Sequence, residues 1–155
     1  KYYIVHVLNV TYLKNQGAVI LKIRIISERA DIETLAPNER IVHIAFRPSN
    51  ADIFQIVGAC PKIEAIQLPK SYRRTVSMSI EMFLGMQKVA ILEGDVWGHR
   101  KDICEYRVVP RGALDDIAAM TLEGVDWSRI MHDVGLKYKL SPSLIEFAIK
   151  KGITA

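Results

Sequence analysis

Four short apolar runs, Leu21 to Ile26, Ile41 to Phe46, Ile63 to Leu68 and Val89 to Leu92, recur along the chain with turn signals after each. Continuous rather than alternating hydrophobicity over so short a stretch marks a strand buried on both faces. Segments of helical character lie between the runs, each entered through a capping residue. Ser27 precedes Glu28 to Leu35, Ser49 or Asn50 precedes Asp52 to Ala59, and Ser77 precedes Met78 to Gln87. Strand and helix in alternation predict an α/β fold with a small parallel sheet and right-handed crossovers.

The predicted strands begin at 21, 41, 63 and 89, so successive starts are 20, 22 and 26 residues apart. That spacing is short for a Rossmann unit. Two forms of the layer therefore stay open: a Rossmann-like, doubly wound sheet, and a leucine-rich-repeat-like stack, for which Cys60 to Leu68 reads as a strand entry. Met78, Met82 and Met86 recur every four residues and read as a helix stripe packed on the sheet.

From Arg111 the pattern becomes purely helical. Ala113 to Leu122, Trp127 to Leu136 and Pro142 to Lys151 carry apolar residues at helical spacing, punctuated by Gly124, Gly135 and Gly152, with Asp126 and Ser141 as N-caps. This tail resembles a helix-turn-helix unit, with Lys137 to Lys139 reading as an insertion of about one turn between its last two helices. Were it to read DNA, Ser143, Glu146, Phe147, Lys150 and Lys151 would face the groove. The domain reading is thus an α/β domain over 21–110 and a helical tail over 111–155. Residues 1–20 admit two readings: an added edge strand over Tyr3 to Tyr12, or an extension ahead of a true start at Leu21, where a non-AUG initiation codon would be translated as leucine.

Composition sharpens the picture in three ways. Half the residues are hydrophobic, which excludes a disordered chain. The apolar stretch from Tyr2 to Leu13 is broken by His6, Asn9 and Thr11 and falls short of the about 20 residues a membrane-spanning helix needs, so no membrane is expected. Cys60 and Cys104 follow no metal-ligand or disulfide spacing, which fits a reducing cytoplasm and implies neither a metal nor a cofactor.

The net charge of +4 suggests anionic partners. In a parallel sheet, ligands bind beyond the carboxyl ends of the strands, so the loops there are the place to look. They hold Arg47 and Ser49; Lys70, Tyr72, Arg73, Arg74 and Ser77; and Trp97, His99, Arg100 and Lys101. Guanidinium forks match phosphate, helix N-termini add backbone donors, and aromatic faces stack bases. The ligand expected is phosphate-bearing, with nucleic acid foremost, and a protein partner or second copy is a further expectation. A rival reading makes the chain a small enzyme on a phosphorylated or carboxylated metabolite, with Asp95 and His99 as acid and base and Asp102 nearby. A third makes it a subunit of a larger assembly. His43, within a strand, and His132, on a polar helix face, read as structural.

Three long motifs, Ala45 to Asn50, Ile66 to Ser77 and Leu92 to Ile103, resemble an uncharacterised archaeal family found mainly in methanogens, matching from about Leu21 to the C-terminus. The resemblance implies an archaeal cytoplasmic origin and brings no function with it.

Overall fold

The computed structural model describes residues 22–96 and 105–154, with side chains as far as Lys150. The expected edge strand over Tyr3 to Tyr12 lies outside the described residues. The fold divides into a unit of residues 22–107 and a second unit that contains residues 108–154.

The first unit runs β1 (Lys22–Ile26), a 3-10 turn (Arg29–Thr34), β2 (Ile41–Ile44), α1 (Asn50–Ala59), β3 (Ala65–Leu68), the short α2 (Lys70–Arg73), α3 (Met78–Met86) and β4 (Ala90–Glu93). β5 (Tyr106–Val108), too short to show in the hydrophobic pattern, completes a five-stranded sheet of order β4-β3-β2-β1-β5. The β1–β2, β2–β3 and β3–β4 pairs are all parallel. Each crossover thus steps one strand in the same direction, and right-handed connections place the intervening helices on a single face. From β1 to β4 the order is sequential, and β5 then reverses its direction by lying on the other side of β1.

That face carries Ile26, Val42, Ile44, Ile66 and Leu68, which pack with Ile32, Leu35, Ile53, Ile56, Ile80 and Leu84 into one core. The alternate positions Ile23, Ile25, Ile41, His43, Ala65 and Gln67 are buried as well. Burial on both faces is the physical reason that the strands read as unbroken apolar runs.

The methionine stripe corrects the sequence reading. Helix α3 turns Ile80 and Leu84 to the core and leaves Met78, Met82 and Met86 exposed. Two apolar stripes compete on this helix, and the branched side chains win the interior because they lose less rotamer freedom on burial than methionine.

β5 is tied to β1 by a cationic and aromatic clasp. Lys22 Nζ and the Arg24 guanidinium lie 3.9 and 5.3 Å from the centre of the Tyr106 ring. Arg24, buried, donates to Thr34 Oγ1 at 2.8 Å and pairs with Glu105 at 2.7 Å. The Tyr106 hydroxyl donates to Glu39, and burial together with that carboxylate pushes the phenol up to about 12.

Helix α3 ends on Lys88 at φ 58°, with the Val89 amide returning to the Leu84 carbonyl at 2.9 Å. This left-handed terminus suits glycine, because a Cβ crowds the neighbouring carbonyl there. Lys88→Gly is expected to raise unfolding stability by about 0.5–1 kcal/mol in urea titrations; a loss would show that the lysine makes a contact worth more than its strain.

The second unit holds α4 (Arg111–Leu122), α5 (Trp127–Tyr138) and α6 (Pro142–Thr154). Asp116 of α4 accepts from Lys137 Nζ at 2.7 Å and from the Tyr138 hydroxyl at 2.6 Å. Tyr138 approaches α4 closely enough that a Cβ on Gly112 would stand 3.0 Å from its hydroxyl. Lys137 and Tyr138 are therefore helical and not an insertion. Gly135 does not end the helix either; it lies inside α5, where a Cβ would meet the Leu140 carbonyl at 3.1 Å. The helix stops at left-handed Lys139, and only Lys139 to Ser141 connect it to α6, a turn of helix-turn-helix length. Among the described residues no helix is long and apolar enough to cross a membrane.

Candidate functional site

Parallel strands in register release their following loops at one edge. The Ala45 amide donates to the Ile26 carbonyl and the Gly94 amide to the Leu68 carbonyl, each at 2.9 Å, so the loops leave the sheet at a common level. Arg47 after β2 and Lys70 to Arg74 after β3 accordingly sit on neighbouring loops, about 5 Å apart at their roots.

Two helices begin on this rim. Ser49 caps α1, accepting from the Asp52 amide at 3.2 Å, while Asp52 accepts from the Ser49 amide at 2.8 Å. Ser77 caps α3, accepting from the Ile80 amide at 3.2 Å, and its hydroxyl reaches Asn50 Oδ1 at 3.4 Å, which joins the two helix starts. Both serines are thus engaged in capping.

The rim cations fall into two classes. Arg29 donates through Nε to both oxygens of buried Asp52, at 2.8 and 3.0 Å, and its guanidinium stands 5.8 Å from the Phe46 ring centre. Burial pushes the Asp52 carboxyl up, but Arg29 and the Ser49 hydrogen bonds outweigh it and hold the group below its ordinary value. Arg73 is similarly tied, 2.5 Å from Glu81. Arg47, Lys70 and Arg74 are exposed and, among the described residues, their side chains have no hydrogen-bond or ion-pair partner. Tyr72 packs against the core beneath them and so anchors its loop. Trp97, His99, Arg100, Lys101 and Asp102 lie outside the described residues.

Asp95, exposed at the end of β4, brings its Oδ1 to 4.0 Å from His43 Nε2. His43 and Gln67 are direct register partners on β2 and β3, and His43 Nδ1 lies 3.1 Å from Gln67 Oε1. With Oε1 accepting, the Nδ1 position carries the proton and the imidazole is held with Nε2 toward the carboxylate. His99, assigned from sequence to work with Asp95, lies outside the described residues, and among the described ones the carboxylate stands nearest the His43 imidazole. His43 is fully buried and is not open to a ligand; the Asp95 carboxylate accepts from the Val96 amide at 3.0 Å. The signal for this pair was present in the sequence: two polar residues, 24 positions apart, inside otherwise apolar strands.

In the tail, Ser143 is half-buried and Lys150 pairs with Glu146 at 2.8 Å. Phe147, expected to face a groove, is instead buried in the helical core with Leu144 and Ile145, because its ring completes the apolar stripe of α6. The side chain of Lys151 lies outside the described ones. Among the described residues no three His, Cys, Asp or Glu side chains are grouped so as to hold a metal ion.

Residues 22–105 match the N-terminal domain of a family of unknown function, DUF1699. Searches of curated proteins and of solved structures returned no match.

Proposed function

Because the chain belongs to this family of unknown function, its activity has to be read from its own residues, and we propose that the carboxyl-end rim binds a phosphate-bearing ligand, with nucleic acid as that ligand. The observation that carries the reading is the contrast among the rim cations. Arg29 and Arg73 are locked into ion pairs that hold the loops, whereas Arg47, Lys70 and Arg74 project from neighbouring loops beside two helix N-termini. Free guanidinium forks held at fixed spacing by a rigid sheet suit successive phosphates of a polymer better than one small anion. The α6 face contributes little to this reading, since Lys150 is neutralised by Glu146.

The test is fluorescence anisotropy with labelled single-stranded and duplex oligonucleotides between 50 and 200 mM salt. Each phosphate contact contributes roughly 0.7–0.9 to the slope of log affinity against log salt. Replacing Arg47, Lys70 and Arg74 together by alanine is expected to flatten that slope by about 2–3 and to weaken binding about tenfold at the lower salt. An unchanged slope in the triple variant, or no binding by the native chain at 50 mM salt, would reject the proposal. Affinity independent of oligonucleotide length would redirect it to a small anion.

A further inference from the structure

The outer faces of α1 and α3 form a nearly charge-free surface on a chain that is 25% charged. Met78, Met82 and Met86 are 77, 64 and 78% exposed, and Phe54 of α1 is 50% exposed beside them. The two helices are neighbours: Phe54 meets Phe83 edge to face with ring centres 4.7 Å apart. The other exposed positions are Asn50, Ala51, Gln55 and Gly58 on α1 and Ser79, Glu81 and Gly85 on α3. Glu81 is the single charge among them, and Arg73 neutralises it.

A solvent-facing helix ordinarily carries its charges on this side. Four large apolar side chains of roughly 200 Å² each, exposed by half or more, present on the order of 500 Å², the size at which a patch marks an interaction site. With the small residues around them the two helices approach the roughly 800 Å² that each partner gives to a standard interface.

We infer that this face joins two copies of the chain across a two-fold axis that passes near Met82. Charge selects the occupant. The chain carries a net +4, so two copies repel through most of their surfaces and least through this one. An acidic or basic partner would find no counter-charge here, whereas a neutral apolar patch is complementary to itself, as an isologous contact requires. Access is also open: a Cβ on Gly58 or Gly85 would meet no atom within 4 Å, so neither glycine blocks the approach of the flexible methionines of another copy. In an antiparallel α3 pair Met82 meets its own symmetry mate, and Met78 meets Met86 of the second copy. Arg47, Lys70 and Arg74, the cations of the nucleic-acid reading, are not on these two helices, so the inference stands apart from that reading.

Light scattering on the full chain across a range of concentrations tests it. A dimer is expected, and Met82→Glu is expected to shift it to monomer with at least a tenfold weaker association, while circular dichroism stays native because the position is exposed and the melting point loses its dependence on protein concentration. Independently, Met82→Cys in a Cys104→Ser background should form a disulfide-linked dimer under mild oxidation, and Gln55→Cys in the same background should do so less readily. A native chain that stays monomeric at all concentrations overturns the inference. So does a dimer that Met82→Glu leaves intact, or one in which Met82→Cys fails to cross-link.

Discussion

Replacing Asp52 by alanine is expected to lower unfolding stability by about 2–3 kcal/mol, although the residue lies far from the centre of the sheet. The side chain caps the first turn of α1 and is the anchor of Arg29. Loss of a cap alone costs about 1 kcal/mol, and loss of charged hydrogen bonds to a buried carboxylate adds a comparable amount. The full penalty of a broken interior ion pair does not apply, because the Arg29 side chain is 64% exposed and returns to water.

The pH dependence follows from the lowered carboxyl. Its stabilisation is fully present above the ordinary carboxylate value of 3.8 and is lost as pH falls through the lower value of the folded state. Urea titrations at pH 7 and across the acid range should therefore show native and Asp52→Ala curves converging at the acid end. The variant also releases Arg29 to the rim, so oligonucleotide affinity should hold or rise slightly. A stability change under 0.5 kcal/mol would remove Asp52 from the support of the site.

Gln67→Leu is expected to cost about 2–3 kcal/mol, since it strips a hydrogen bond from an imidazole with no access to water. Adding His43→Leu should recover much of that loss, as an apolar pair of similar volume suits an interior lined by isoleucine. Chemical denaturation of the two single variants and the double variant gives the coupling directly. Should the double variant be as unstable as the sum of the singles, the pair is not an interacting unit.

Strands β2 and β3, and β1 beyond Lys22, were readable because double burial leaves few polar residues to interrupt them; the buried exceptions, Arg24, His43 and Gln67, are the informative ones. Helix starts at Ser49, Ser77 and Asp126 were equally plain, as a short side chain before an apolar stripe has few other roles. What stayed hidden depended on distant partners. Arg29 and Arg47 look alike in sequence, yet Asp52, 23 residues away from Arg29, ties down one and not the other. Spacing could not decide which stripe of α3 faces inward, since methionine and branched residues recur at the same period. The sequence pattern ends α5 at Leu136, two residues short of Tyr138, because a lysine, Lys139, and not a glycine adopts the left-handed conformation that stops it.

The sequential strand order bears on how the molecule is made. Register partners are 18 residues apart between β1 and β2, 24 between β2 and β3, and 25 between β3 and β4, as in Ile23 to Ile41 to Ala65 to Ala90. A nascent chain emerging amino end first can therefore zip each strand onto its predecessor as it leaves the ribosome, with only short loops to close. β5 is the exception: among the described residues, its place beside β1 stays open until Tyr106 has been synthesised, which makes the Tyr106 clasp the closing step in assembling these five strands.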